Sequence, residues 1–116
     1  MHEMSLVEAI LESLEEMQKK NNWKRITRVT LNIGKMRQVI PEVMEFAYKT
    51  AISGTTLDGS ELEIRSLDMR FVCSSCSMEW GEDEMSFVCP FCSSTEVSMI
   101  QGMELEINTL EVEEND

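Results

Sequence analysis

Four cysteines within twenty residues constrain this chain more than any other feature: Cys73-Ser74-Ser75-Cys76, twelve residues, then Cys89-Pro90-Phe91-Cys92. No other cysteine is present. A C-x-x-C unit turns two thiolates toward one point, and two facing units complete a tetrahedral S₄ cage of the kind Zn²⁺ prefers. The same spacing also holds a single iron in rubredoxin-like centres. Zinc is favoured because Ser77 and Ser93 follow the knuckles, where iron knuckles usually place glycine. A closed S₄ site keeps no open coordination position, so its default role is structural.

The segment around the quartet needs that staple. From about Arg70 to Val97 its apolar residues are Phe71, Val72, Trp80, Phe87, Val88 and Phe91, with few others. They are too few to fold it unaided, whereas structural Zn²⁺ contributes on the order of 10 kcal/mol. Charge narrows what such a ribbon can touch. Residues 1–37 carry seven Lys/Arg and five Glu, whereas residues 38–116 carry three basic and seventeen acidic residues, with no Lys or Arg from Phe71 onward. A ribbon without cations cannot neutralise phosphates, which argues against nucleic acid. The acidity suits solubility, metal cations or a basic protein partner.

The remainder reads as one small α+β domain. Residues 4–17 place Met4, Val7, Ile10, Leu11, Leu14 and Met17 at helical spacing, with Asn21-Asn22 as the stop; Ser5 and Glu8 form a candidate capping box, the alternative being a slightly earlier start with Ser5 inside the helix. From Arg25 the period becomes two, predicting a strand with Thr27, Val29, Leu31 and Ile33 on one face and its end at Gly34. Pro41 opens a second helix over roughly 41–52, offering Val43, Met44, Phe46, Ala47 and Ala51 for burial, and Gly54 ends it. Glu61–Arg65 alternates as a strand, and so does a last run from Met103 through Leu105 and Ile107 that continues to Leu110 and Val112. These elements predict a small mixed sheet with two helices, covering 1–68 and completed by 98–116, with a zinc ribbon over 69–97 inserted between two strands. Neither a membrane span nor a signal peptide is evident, so a soluble cytoplasmic protein is expected, with reduced cysteines.

Catalytic machinery is not evident. The only histidine is His2, and no G-x-S-x-G motif or phosphate-cradling loop occurs. Met1-His2-Glu3 nevertheless assembles three nitrogen donors: the Met1 α-amine, the His2 amide and the His2 imidazole. They close a five- and a six-membered chelate around an ion that accepts tetragonal nitrogen geometry, as Ni²⁺ and Cu²⁺ do. The alternative is that His2 is incidental.

Met1-His2-Glu3-Met4-Ser5-Leu6 opening a helix, a strand and helix ending in Thr50–Gly54, then C-x-x-C and C-P-x-C, resembles the hydrogenase nickel-insertion accessory family HypA/HybF over the whole chain. The resemblance implies a nickel metallochaperone and no enzyme. It would pass Ni²⁺ to the large subunit of [NiFe]-hydrogenase beside the GTPase HypB, as a monomer or homodimer, and some relatives also supply urease. It implies nickel on Met1 and His2 with Glu3 in support, and one structural Zn²⁺ on Cys73, Cys76, Cys89 and Cys92. The competing readings are an acidic zinc-ribbon interaction module without nickel, or a rubredoxin-like electron carrier.

Overall fold

The computed structural model describes residues 3–84 and 86–115. Its order is α1 (Glu3–Asn21), β1 (Trp23–Gly34), a 3₁₀ turn (Lys35–Arg37), α2 (Pro41–Ile52), β2 (Glu61–Leu67), β3 (Met69–Cys73), β4 (Glu79–Glu82), β5 (Val97–Gln101) and β6 (Leu105–Glu114). Two three-stranded sheets result, ordered β2-β1-β6 and β4-β3-β5. The chain divides into two compact units. The first holds residues 1–31, 39–65 and 106–116, and the second holds 32–38 and 66–105.

The first unit is built on aliphatic burial. α1 buries Leu6, Val7, Ile10 and Leu14, a stripe at helical spacing, and packs on α2. Lys19 and Lys20 sit in its last turn, and Asn22 leaves the helix at φ 54°, a left-handed conformation asparagine tolerates. The helix starts earlier than expected, so Ser5 lies inside it and caps nothing, while Met4 is exposed and Leu6 takes the buried place.

Pro41 occupies the first turn of α2, as expected, but the buried face is Met44, Ala47, Tyr48 and Ile52. Val43 and Phe46 stay 47% and 73% exposed. Both stripes have helical spacing, and the tertiary fold buries the one that holds Met44, Tyr48 and Ile52. In β1 the buried residues are Ile26, Val29, Leu31 and Ile33. Thr27 is half-buried, and its hydroxyl donates to the Glu111 carbonyl of β6 at 3.1 Å. The buried Tyr48 finds a polar partner in Ser60, 2.6 Å from its hydroxyl.

In the second unit, β3 is the central strand and pairs antiparallel with both β4 and β5. Residues 98–101 therefore belong to the ribbon's sheet, not to a strand that completes the helical unit. The strand expected to begin at Met103 starts at Leu105, and Met103 is exposed. Residues 34–37 also join this unit through backbone contacts. Gly34 N–H donates to the Glu104 carbonyl at 2.8 Å and Met36 N–H to the Gly102 carbonyl at 2.9 Å. A Cβ at Gly34 would land on the Gly102 carbonyl group, so only glycine permits this approach. Arg37 Nε seals the crossing with bonds to the carbonyls of Met103 and Glu104, at 2.8 and 3.2 Å.

Candidate metal centre

The two knuckles are hairpin turns with matching backbone hydrogen bonds. After the first, Ser77 N–H donates to the Cys73 carbonyl at 2.8 Å, and after the second, Ser93 N–H donates to the Cys89 carbonyl at 2.9 Å. Each turn closes through a left-handed residue, Ser77 at φ 64° and Ser93 at φ 62°. These are the positions where glycine would be easiest, so serine holds each turn at a cost of about 1 kcal/mol. Neighbouring bonds fix the pair of turns to one another: Ser74 N–H and Oγ both reach the Glu96 carbonyl, and Ser75 Oγ lies 2.9 Å from Ser94 Oγ.

Folding brings all four sulfurs within 4.8 Å of one another. Cys73 Sγ is 3.6 Å from Cys92 Sγ, and Cys76 Sγ is 3.7 Å from Cys89 Sγ. Those separations are far too long for disulfides, and all four cysteines are free. A tetrahedral ZnS₄ centre with bonds near 2.3 Å requires sulfurs about 3.8 Å apart. The two printed pairs match that separation, and all four thiols lie close enough to converge on one Zn²⁺. Among the described residues this is the one group of three or more Cys, Asp or Glu side chains so placed.

The electrostatics of the quartet agree with its geometry. Burial opposes ionisation of Cys73, but the N–H groups of Cys76 and Ser75 and the thiols of Cys92 and Cys76 outweigh it and bring its pKa down to about 6. At Cys92 the Ser94 N–H favours the thiolate, yet loss of water and the other three thiols prevail and push it up to about 12. Cys76 is raised in the same manner: the Met78 N–H lowers it, and burial with Cys89 and Cys73 overrides that help. One negative charge is welcome at this point and further ones are resisted. A dication at the centre reverses that balance, because it attracts every thiolate at once.

Around the sulfurs the apolar lining is thin. Met69, Phe71, Cys73, Trp80 and Cys89 form the buried cluster, with Met36, Cys76, Val97 and Met99 packed against it. The indole N–H of Trp80 is buried with no acceptor among the described residues, a cost of about 1–3 kcal/mol.

Of the expected nickel ligands, Met1 and His2 lie outside the described residues. Glu3 is the first residue of α1 and is half-buried. It lines a shallow groove of about 280 Å³ with Met4, Val43, Phe46, Ala47 and Thr50. The Gly34–Gly102 crossing was not foreseen from the sequence, where Gly34 reads only as a strand end. No helix among the described residues is long and apolar enough to cross a membrane.

A helical α+β unit with an inserted ribbon of four convergent thiols defines a small protein with a candidate zinc site. Comparison with known proteins specifies the family. The family described as "Hydrogenase/urease nickel incorporation, metallochaperone, hypA" matches residues 1–112. Hydrogenase maturation factor HypA of Desulfitobacterium hafniense is 35% identical over 98% of this chain and 100% of its own length. The HypA of Aquifex aeolicus is 32% identical over 97% and 98%. A solution structure of the Ni metallochaperone HypA from Helicobacter pylori superposes with a TM-score of 0.71 at 27% identity, covering 99% of this chain and all of that one. The chain belongs to the HypA family of nickel metallochaperones for hydrogenase maturation.

Proposed function

We propose that this chain carries Ni²⁺ on Met1-His2-Glu3 and hands it to the large subunit of [NiFe]-hydrogenase, alongside the GTPase HypB, in the cytoplasm. Family membership over the whole chain is the observation that carries this reading. The chain acts as a carrier and catalyses no reaction of its own. Nickel is cargo, so the affinity must be moderate enough to release. The Met1 amine, the His2 amide and the His2 imidazole form adjoining chelate rings, and Glu3 supports them or meets the recipient. Urease is a second recipient consistent with the family description.

Cys73, Cys76, Cys89 and Cys92 hold the resident Zn²⁺ in this reading. The ion supplies the positive charge that four converging thiolates need, and it serves structure because all four positions are filled by sulfur. The acidic ribbon module without nickel and the rubredoxin-like carrier are the competing readings.

The test titrates Ni²⁺ into the native protein, into His2→Ala and into a version with one extra N-terminal residue, with bound zinc measured in each. Both changes should weaken nickel binding at least tenfold and leave zinc at one per chain. Unchanged nickel affinity in both would remove the chelate. Both protonatable donors must be neutral to bind, with unperturbed pKa values near ~7.7–8 for the amine and ~6.5 for the imidazole. Nickel affinity should therefore fall as pH drops below neutrality, most steeply below about 6.5 where both are protonated. An iron centre would colour the purified protein red, and zinc leaves it colourless.

A further inference from the structure

The ribbon unit holds four of the chain's seven aromatic residues, arranged in two tiers. Phe71 and Trp80 face each other across β3 and β4 and form the buried tier, their ring centroids 6.0 Å apart. Phe87 meets Phe71 edge-on at 5.7 Å, and Phe91 meets Trp80 edge-on at 6.2 Å. These contacts orient the outer rings without covering them. Phe87 remains 43% exposed, Val88 50% and Phe91 56%. Edge-to-face contacts contribute about 0.5–1.5 kcal/mol each, which accounts for the inner half of each ring and leaves the outer half unexplained.

Within the outer tier, Phe91 is anchored by the second knuckle. Phe91 lies inside the second knuckle, its N–H 3.4 Å from Cys89 Sγ, and the Ser93–Cys89 backbone bond closes the turn behind it. A rigid aromatic surface loses little freedom when covered, and for that reason aromatic rings dominate binding energy at interfaces.

Charge decides the class of occupant. Residues 71–105 carry six acidic side chains and no basic one. The three basic side chains of the unit, Lys35, Arg37 and Arg70, lie outside this segment, so the stretch that carries the outer rings disfavours anionic lipid and nucleic acid. The surface that complements this one is apolar at its centre and basic at its rim. We propose that Phe87, Val88 and Phe91 form a docking face for a partner protein, which inserts an aliphatic side chain flanked by Lys or Arg. The proposal is independent of where nickel binds.

The test uses the full-length, zinc-loaded chain and three synthetic peptides: a Leu-Ile-Leu run flanked by lysines, the same run flanked by glutamates, and a Ser-Gly-Ser run flanked by lysines. Calorimetry gives affinities, and amide chemical shifts locate the site. The lysine-flanked aliphatic peptide should bind with shifts concentrated over residues 86–92, and the other two at least tenfold more weakly. Phe91→Gln and Val88→Gln should each reduce its affinity about tenfold, whereas Phe46→Gln, the exposed ring of the other unit, should change nothing. Val88 makes none of the ring contacts described, so its variant keeps the test valid if Phe91→Gln loses zinc. Equal binding of the Ser-Gly-Ser peptide would reduce the effect to charge alone and overturn the proposal. Indifference to both substitutions would do the same. A concentration-dependent dimer abolished by Val88→Gln would assign the face to a second copy instead.

Discussion

The two units of this chain reach a folded state by different means. Among the described residues, the first buries twelve apolar side chains from α1, β1, α2 and the turn at Leu57, and its buried tyrosine has a hydrogen-bond partner. The second buries six, of which two are the cysteines 73 and 89. It also tolerates two serines in left-handed turns, a buried indole N–H with no acceptor among the described residues, and three half-exposed apolar residues beside one knuckle. The first unit also has a left-handed residue, Asn22, and leaves Ile40, Val43 and Phe46 exposed, so the size of the buried core is what separates the two. Six buried side chains are few to hold residues 66–105, and Zn²⁺ on the four thiols would add a free energy on the order of 10 kcal/mol. An aliphatic core is a sum of many small contributions and degrades gradually, whereas a four-thiolate centre is lost as a whole.

Cysteine replacement breaks that comparison most sharply. Cys89→Ser should abolish zinc retention and unfold the ribbon, a loss on the order of 10 kcal/mol within that unit. Amide spectra should lose dispersion for residues 66–105 while those of α1 and α2 persist. Simultaneous collapse of both sets would show that the units do not fold separately. Leu14→Ala is the corresponding test of the first unit. Leu14 is fully buried, and its truncation should destabilise by about 2–5 kcal/mol in chemical denaturation. Bound zinc should remain at one per chain.

Gly34→Ala tests the crossing in the second unit. The added methyl meets backbone and not a movable side chain, so relief requires separating 34–36 from 102–104. A loss of about 3 kcal/mol is expected, with faster amide exchange at Gly34 and Met36. The smallest effect has the opposite sign. Ser77→Gly and Ser93→Gly relieve the left-handed turns and should each stabilise the zinc-loaded ribbon by about 0.5–1 kcal/mol. Slower zinc transfer to a chelator is the measurement. Faster transfer would mean that the serine side chains, not the backbone angles, maintain the knuckles.

The legibility of each feature in the sequence followed the range of the interaction behind it. α2 was placed at its observed ends, Pro41 and Ile52, because Pro and Gly act on the backbone within a turn or two. The thiol cluster was legible for the same reason: two residues between cysteines set each knuckle, and the pairs had only one another to face. Which stripe of α2 is buried was not legible. Val43 and Phe46 are as apolar as Met44 and Tyr48, and only tertiary packing distinguishes them.

By itself the sequence determined the chemistry available to this protein: a four-thiolate centre, an acidic ribbon without cations, and a histidine beside an amine. These depend on residue identity and short spacing, which the covalent chain enforces before any folding. Only the tertiary structure decided that the sulfurs stand at zinc-like separations, that Gly34 crosses Gly102, and that residues 98–101 belong with the cysteines. It also decided that Phe87, Val88 and Phe91 remain uncovered. Each of those outcomes depends on groups far apart in the chain competing for the same space, and local patterns carry no record of that competition.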